Sequence, residues 1–361
     1  MSDVLIVGGG VIGLTCAWEL SLRGAQVTVL EQSELAKEAS WAGAGMIPPG
    51  DLGHLPTHQL AVMSSQLWPE LTAELRETTG VDNEYRACQG LLIEEESHSQ
   101  DLLRRWTERG VRVEQLSASE IRERVPQISE SVQSASLLVD QCQVRNPRHL
   151  RALIAGCQAR GVRLLEDHQV IEWKTESKTE ANRISQVMTH HGQYSAKEVV
   201  VTAGAWSRTL LESLSVSLQI KPIRGQIVLL NGNLPGFQVT IESGSHYLVP
   251  RVDGRLLIGA TEEDVAFERA NTPEAIQRLR AFARQLIPAT ASLQIEKTWC
   301  GFRPHSQRGY PYLGRVSGWE NLTLAAGHFR AGLSNSPATA RLIAQLLTNE
   351  PTSLDLSDFS V

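Results

Sequence analysis

Six residues near the start of the chain, Gly8-Gly9-Gly10-Val11-Ile12-Gly13, carry the spacing G-x-G-x-x-G, and what flanks them limits the fold severely. Val4 to Val7 predicts a buried strand, Val11 to Leu22 a helix with apolar spacing near 3.6, and Val27 to Leu30 a second buried strand ending at Glu31. Gly8 permits the tight turn, Gly10 lets the backbone approach a pyrophosphate, and Gly13 lets helix and strand pack closely, while free N–H groups at the helix start face the anion. Glu31, about 20 residues on, can accept hydrogen bonds from ribose hydroxyls. A plain glycine turn would need neither the second strand nor its terminal acid. The unit therefore reads as a dinucleotide site, open at this point to either NAD or FAD. No second G-x-G-x-x-G follows, and no cysteines are paired as C-x-x-C, so docking of a second nucleotide and disulfide reductase chemistry are disfavoured. Electrons then enter from the substrate itself.

The remaining composition bounds the class. With 361 residues, 42% hydrophobic and 20% charged, the chain is long enough for roughly two domains and is neither disordered nor fibrous. A formal charge of -6 provides no basic field for nucleic acid. Five scattered cysteines (Cys16, Cys88, Cys142, Cys157, Cys300) suggest no disulfide framework or zinc site. The chain runs from Met-Ser-Asp into Val4-Leu5-Ile6-Val7, without a basic residue before Arg23 or an apolar run long enough to span a bilayer. A cytoplasmic location without membrane partners is expected.

Beyond the first unit, Glu34 to Gly50 is rich in Ala, Gly and Ser, closes on Pro48-Pro49, and reads as an extended loop. Helices are predicted at about Leu60 to Glu77, Gln100 to Arg109, from a capping box at Ser117 and Glu120, through Arg160 with Asn146-Pro147 as cap and first turn, Pro273 to Leu286, and Leu333 to Leu347. Strands are predicted near Tyr85 to Ala87, Gly90 to Glu94, Val162 to Leu165, Gln169 to Trp173, Arg183 to Thr189, Glu198 to Thr202, Gln226 to Leu230, Tyr247 to Val249, Leu256 to Ile258 and Ser292 to Trp299.

Glu38-Ala39-Ser40-Trp41-Ala42-Gly43-Ala44-Gly45-Met46-Ile47-Pro48-Pro49 resembles the flavin-binding loop of the D-amino-acid oxidase superfamily, in the form found in the glycine oxidases of thiamine biosynthesis. Further segments follow in family order: Thr202-Ala203-Gly204-Ala205-Trp206-Ser207, Pro222-Ile223-Arg224-Gly225-Gln226, Tyr247-Leu248-Val249-Pro250-Arg251, Gly259-Ala260-Thr261, Gly301-Phe302-Arg303-Pro304, Pro311-Tyr312-Leu313-Gly314-Arg315 and Gly327-His328-Phe329-Arg330-Ala331-Gly332-Leu333. The resemblance implies an α/β fold (α+β overall), with a Rossmann-type FAD-binding domain (1–48, 145–212, 308–361) interleaved with an antiparallel-sheet substrate domain (49–144, 213–307). It implies FAD contacts from Gly8, Gly10, Val11, Ile12, Gly13 and Glu31; from Ser40, Ala42, Gly43, Ala44, Gly45 and Met46; from Val170; from Ala203, Gly204 and Trp206; and from Gly327, His328, Arg330, Ala331, Gly332 and Leu333. Physically, small residues from Ala42 to Gly45 let backbone N–H groups approach a flat ring, and the helix after Gly332 favours negative charge on it as it is reduced.

A small amino acid presents a carboxylate and an amine, and a guanidinium matches the carboxylate with two parallel donors. The resemblance assigns this role to Arg303, a second hydrogen bond to Tyr247, and a place beside the pocket to Arg330. No side chain emerges as a base. With a neutral amine, Cα–H passes as hydride to flavin N5, the imine hydrolyses, and oxygen reoxidises the flavin to give hydrogen peroxide. The implied reaction is oxidation of glycine, sarcosine and small D-amino acids, supplying an imine to a thiazole synthase, by a homo-oligomer, a tetramer in the family. Two alternatives stay open: a dehydrogenase passing electrons to a quinone or carrier, and a flavin-binding subunit without chemistry.

Two positions depart from the pattern. Glu262, followed by Glu263 and Asp264, stands where glycine oxidases often carry an apolar residue; it either lines the pocket or joins a solvated acidic turn. Cys300 lies near where sarcosine oxidases bond covalently to the flavin, but reads more simply as a small strand residue. His54 and His58 are spaced i, i+4, yet Pro56 is expected to break their helix; His190-His191 and Glu94-Glu95-Glu96 read as solvated turns.

Overall fold

The computed structural model describes residues 2–93, 96–177, 181–232 and 234–361, with backbone alone for 96–99. The N-terminal unit forms as its pattern dictates, with strand Ser2–Val7, helix Val11–Leu22 and strand Val27–Leu30, the strands paired in parallel with Val4 opposite Val27. They sit inside a six-stranded sheet ordered Tyr312–Arg315, Leu322–Ala326, Ala196–Val201, Ser2–Val7, Val27–Leu30, Arg163–Leu165. All neighbours are parallel except the edge strand Tyr312–Arg315. Strands buried on both faces need continuous apolar runs, as Val199-Val200-Val201 shows. One face carries the helices Val11–Leu22, Leu55–Thr79, Asn146–Ala159 and Ser336–Leu347, whose Leu14, Trp18, Leu75, Leu153 and Ile343 share one core. The other face packs against the three-stranded sheet Val170–Ser177, Asn182–Thr189, Gly192–Tyr194 through Ile184 and Val187.

The second large sheet has eight strands, ordered Gln294–Ser306, Ile220–Asn231, Leu256–Gly259, His246–Pro250, Thr240–Ser243, Gly90–Leu92, Ser134–Leu138, Val113–Ser117. It is antiparallel except where Thr240–Ser243 runs parallel to Gly90–Leu92. Helix Pro273–Leu286, capped by the Thr272 hydroxyl accepting from Ala275 N–H, buries Leu279, Ala283 and Leu286 on one face of it. The opposite face is left for the site. The fold is thus mixed α/β, its two large sheets drawing strands alternately along the chain.

Several local expectations are corrected. Asn146 is not a cap: it is the first residue of the helix Asn146–Ala159, preceded by Arg145, and its Nδ2 donates instead to Ser40 O at 2.8 Å. Pro56 does not break a helix. It occupies the first turn of Leu55–Thr79, where a missing N–H costs nothing, and that helix packs beneath the six-stranded sheet although the expected boundaries place it on the substrate side. The loop from Glu34 contains a short helix, Ala39–Ala42, and strand Met46–Ile47. The last helix begins at Ser336, three residues after Leu333. Glu94 and Glu95 fall outside the described residues, as does the Glu96 side chain; helix Glu96–Glu108 follows them. No described helix is long and apolar enough to cross a membrane, and no described cluster of His, Cys, Asp and Glu is suited to a metal.

Candidate active site

A cavity of about 730 Å³ runs between the two large sheets. Every sequence-predicted site residue lines it except Gly13, including Tyr247, Arg303, Arg330 and Val170. Gly13 sits behind the wall, where an added Cβ would lie 2.0 Å from Gly8 O and 2.6 Å from Thr202 Oγ1. Gly8 itself has φ +116, and a Cβ there would approach Thr202 O to 2.6 Å, so strand, turn and helix close only with glycine at both places.

The cofactor end is built largely of backbone. The Ser40 hydroxyl accepts from Val11 N–H at 2.9 Å, leaving the other first-turn amides of helix Val11–Leu22 without partners inside the helix. Glu31 accepts from Gly9 N–H at 2.8 Å and Ser33 N–H at 3.1 Å; burial raises its carboxyl pKa despite these bonds. The loop Ala39–Ala44 rests on strand Gln294–Ser306: Trp299 Nε1 donates to Ala42 O at 3.1 Å, and a Cβ on Gly301 would meet Ala42 Cβ at 2.6 Å. Arg251, buried and pushed down to about 10 by desolvation, donates to Ala44 O and Val144 O and so ties this loop to the second sheet. Asn146 lines the cavity, and its Oδ1, packed against Gly45, is a buried acceptor without a partner. Open amides, a ribose-suited acid and an unsatisfied acceptor along one long slot fit FAD.

The substrate end is built of side chains. Arg303 and Tyr247 project from strands of the eight-stranded sheet onto its cavity face. Each lies over a glycine: a Cβ on Gly225 would fall 2.4 Å from the Arg303 guanidinium, and one on Gly259 2.2 Å from the Tyr247 ring. Arg303 Nη1 donates to Thr261 O at 2.9 Å, and no described carboxylate lies within ion-pair distance. Its charge remains available to a ligand. Burial raises the Tyr247 phenol and the nearby Arg303 charge opposes the shift. Phe329, in the left-handed region at φ +51, donates its N–H to Pro304 O at 2.9 Å, which fixes the Arg330 segment against the strand bearing Arg303.

The departures resolve structurally. Glu262 does not line the cavity; it is exposed and accepts from Arg330 Nε at 2.6 Å. Glu263 pairs with Arg224, and Asp264 with Lys221. Cys300 alternates with Trp299 and Gly301 along its strand, stands off the cavity lining and is half-buried. His54 stacks edge-on with Tyr310, whereas His58 contacts the Asp51 backbone. The carboxylate that does line the substrate end is Glu242, in strand Thr240–Ser243. Sequence reading missed it because Glu242-Ser243-Gly244-Ser245 carries the composition of a turn; only the alternation shared with Tyr247 across the hairpin exposes it.

Comparisons with known proteins place the chain in a family. The chain is 34% identical to the glycine oxidase of Pseudomonas aeruginosa over 99% of this chain and 98% of that one. It is 34% identical to the bifunctional protein ThiO/ThiG of Synechocystis, of which it covers 53%. The crystal structure of glycine oxidase from Geobacillus kaustophilus superposes with a TM-score of 0.92 at 32% identity, covering 99% of this chain and 98% of that one. With residues 3–346 matching the family of FAD dependent oxidoreductases (DAO), the chain belongs to that family and its cofactor is FAD.

Proposed function

We propose that this FAD-dependent amino-acid oxidase oxidises glycine and other small amines, among them sarcosine and small D-amino acids, to the imine. The observation that carries the reading is the unpaired Arg303 guanidinium, held beside Tyr247 in the same cavity as the cofactor slot. Arg303 binds the substrate carboxylate with two parallel donors, and Tyr247 orients one oxygen. The Gly225 and Gly259 backbones leave room for these long side chains to lie flat, so the substrate is held at a fixed height above the sheet. FAD, when bound, supplies the two-electron acceptor for the Cα–H bond, with oxygen as the final acceptor and hydrogen peroxide as product. The imine hydrolyses to the 2-oxo acid and ammonia. The ThiO/ThiG relative supports a link to thiazole synthesis, in which the imine is delivered to a thiazole synthase; an oligomeric enzyme in the cytoplasm is part of the same proposal.

An absorbance spectrum of the purified protein, followed by anaerobic titration with glycine, sarcosine, D-alanine and D-proline, tests the reading. Bleaching of the flavin by glycine is the expected result; no bleaching by any of the four overturns it. Peroxide formed in step with glycine consumed supports oxygen as acceptor, whereas turnover only with an artificial acceptor makes the enzyme a dehydrogenase.

A further inference from the structure

The reaction requires the substrate ammonium to lose a proton before Cα–H is oxidised, because the nitrogen lone pair must form the C=N bond. The cavity offers a placement for the acceptor beside Tyr247. Strand register sets Glu242 directly opposite Tyr247 and Tyr247 opposite Gly259, so all three share the cavity face of the sheet. Directly opposed residues have Cα atoms about 4.5–5.5 Å apart, which puts Glu242 one strand from the Tyr247 hydroxyl-bearing ring. The Glu242 carboxylate lines the cavity and is held by Gln141 Nε2 at 3.4 Å; Gln141 in turn is packed against Gly90, where a Cβ would meet its amide at 2.7 Å.

The other titratable groups of the substrate end are committed. His246 also lines the cavity, but its Nδ1 is engaged with Ser245 Oγ at 3.1 Å, its ring packs on Phe282, and burial with the Arg278 and Arg330 charges pushes it down, which weakens it as a base. His328 Nε2 is bonded to Thr339 and burial pushes the ring down to about 3. Asp51 accepts from Gly53 N–H and Thr57 Oγ1. Burial raises the Glu242 carboxyl, which makes it a stronger base, while Gln141 and the Arg330 charge oppose that rise.

We propose that Glu242 is the catalytic base that takes the proton from the substrate's ammonium. This rests on the amine-oxidation reading above. The balance is direct: the N–H bond breaks, the proton adds to a Glu242 oxygen, and a neutral amine faces a neutral carboxylic acid. The amine lone pair then forms the C=N bond as Cα–H leaves with two electrons, for which FAD is the oxidant.

The test compares wild-type holoenzyme with E242Q across pH. In the wild type kcat/KM for glycine rises as Glu242 ionises; in E242Q it rises only with ionisation of the free amine. At pH 7 the variant should be lower by about 10²–10⁴-fold, the span typical of a general base, and should recover to within about tenfold near pH 10. Glu242→Asp should keep the wild-type limb at reduced height, and decides the matter if E242Q loses flavin. Acetate, which has a carboxylate and no amine, supplies a second readout through the flavin spectrum. Its affinity in the wild type should fall as Glu242 ionises and stay flat in E242Q. Loss of activity by the same factor at every pH, or a variant profile equal to the wild type's, overturns the proposal. A wild type that oxidises no small amine defeats the functional reading instead.

Discussion

The six-stranded sheet offers its ligand mostly backbone, whereas the eight-stranded sheet offers side chains. At the first, glycines and unpaired amides follow one strand–helix–strand unit within residues 2–30, and replacing a side chain there leaves most donors in place. At the second, Glu242 and Tyr247 come from the two arms of one hairpin and Arg303 from a strand much later in the chain, and the three are brought to one face by register. Backbone recognition tolerates side-chain changes, whereas side-chain recognition is lost with a single substitution. Damage should therefore divide cleanly between flavin content and turnover.

Arg303→Ala should give the largest effect. Losing a buried charged partner costs about 2–5 kcal/mol, so kcat/KM for glycine should fall by roughly two to three orders of magnitude with flavin content unchanged. Flavin lost together with activity would break the division.

The next effect belongs to the cofactor side. His149, on helix Asn146–Ala159, and His328 are both pushed down to about 3 by burial, so each is neutral in the fold and charged in the unfolded chain below about 6.5. Their contribution is complete above that pH and is lost as pH falls toward 3. At pH 5 each should cost about 2 kcal/mol, read from denaturant midpoints across pH, and His149→Gln should flatten the slope by about half. A slope unaltered by that substitution would place the acid sensitivity elsewhere.

Two glycines sharpen the contrast. Gly13→Ala, with its methyl 2.0 Å from Gly8 O, should lower stability by about 1–3 kcal/mol and release FAD, seen in Tm and in the flavin-to-protein absorbance ratio. Gly259→Ala would drive Tyr247 off its seat and should raise KM by about tenfold, the equivalent of one misplaced hydrogen bond, with flavin retained. Smallest of all, Glu262→Gln breaks an exposed pair with Arg330 and should change stability by less than about 1 kcal/mol.

Much of the cofactor side was legible because its determinants are local. Helix Val11–Leu22 and strand Val27–Leu30 have the bounds their apolar periods predict, and helix Pro273–Leu286 follows from its cap and amphipathic stripe. Errors arose where a local signal has two outcomes. Asn146-Pro147 suits a cap, but Ser40 O lies within reach and takes the amide. Pro56 stops a helix from within and starts one from its first turn, and only packing of Leu60, Leu71 and Leu75 in the core shows which applies. Glu242 and Glu262 look alike as surface acids. One is turned into the cavity by its pairing with Tyr247, and the other is held outside by Arg330.

By itself the sequence determined the dinucleotide unit and the FAD family, because glycine spacing and apolar period act over a few residues. The tertiary structure decided that Glu242 lines the cavity and Glu262 does not, which glycines seat Arg303 and Tyr247, and how the two sheets alternate along one chain. Those choices depend on strand register and on contacts between residues distant in sequence, and a one-residue shift in pairing would turn Glu242 to the opposite face.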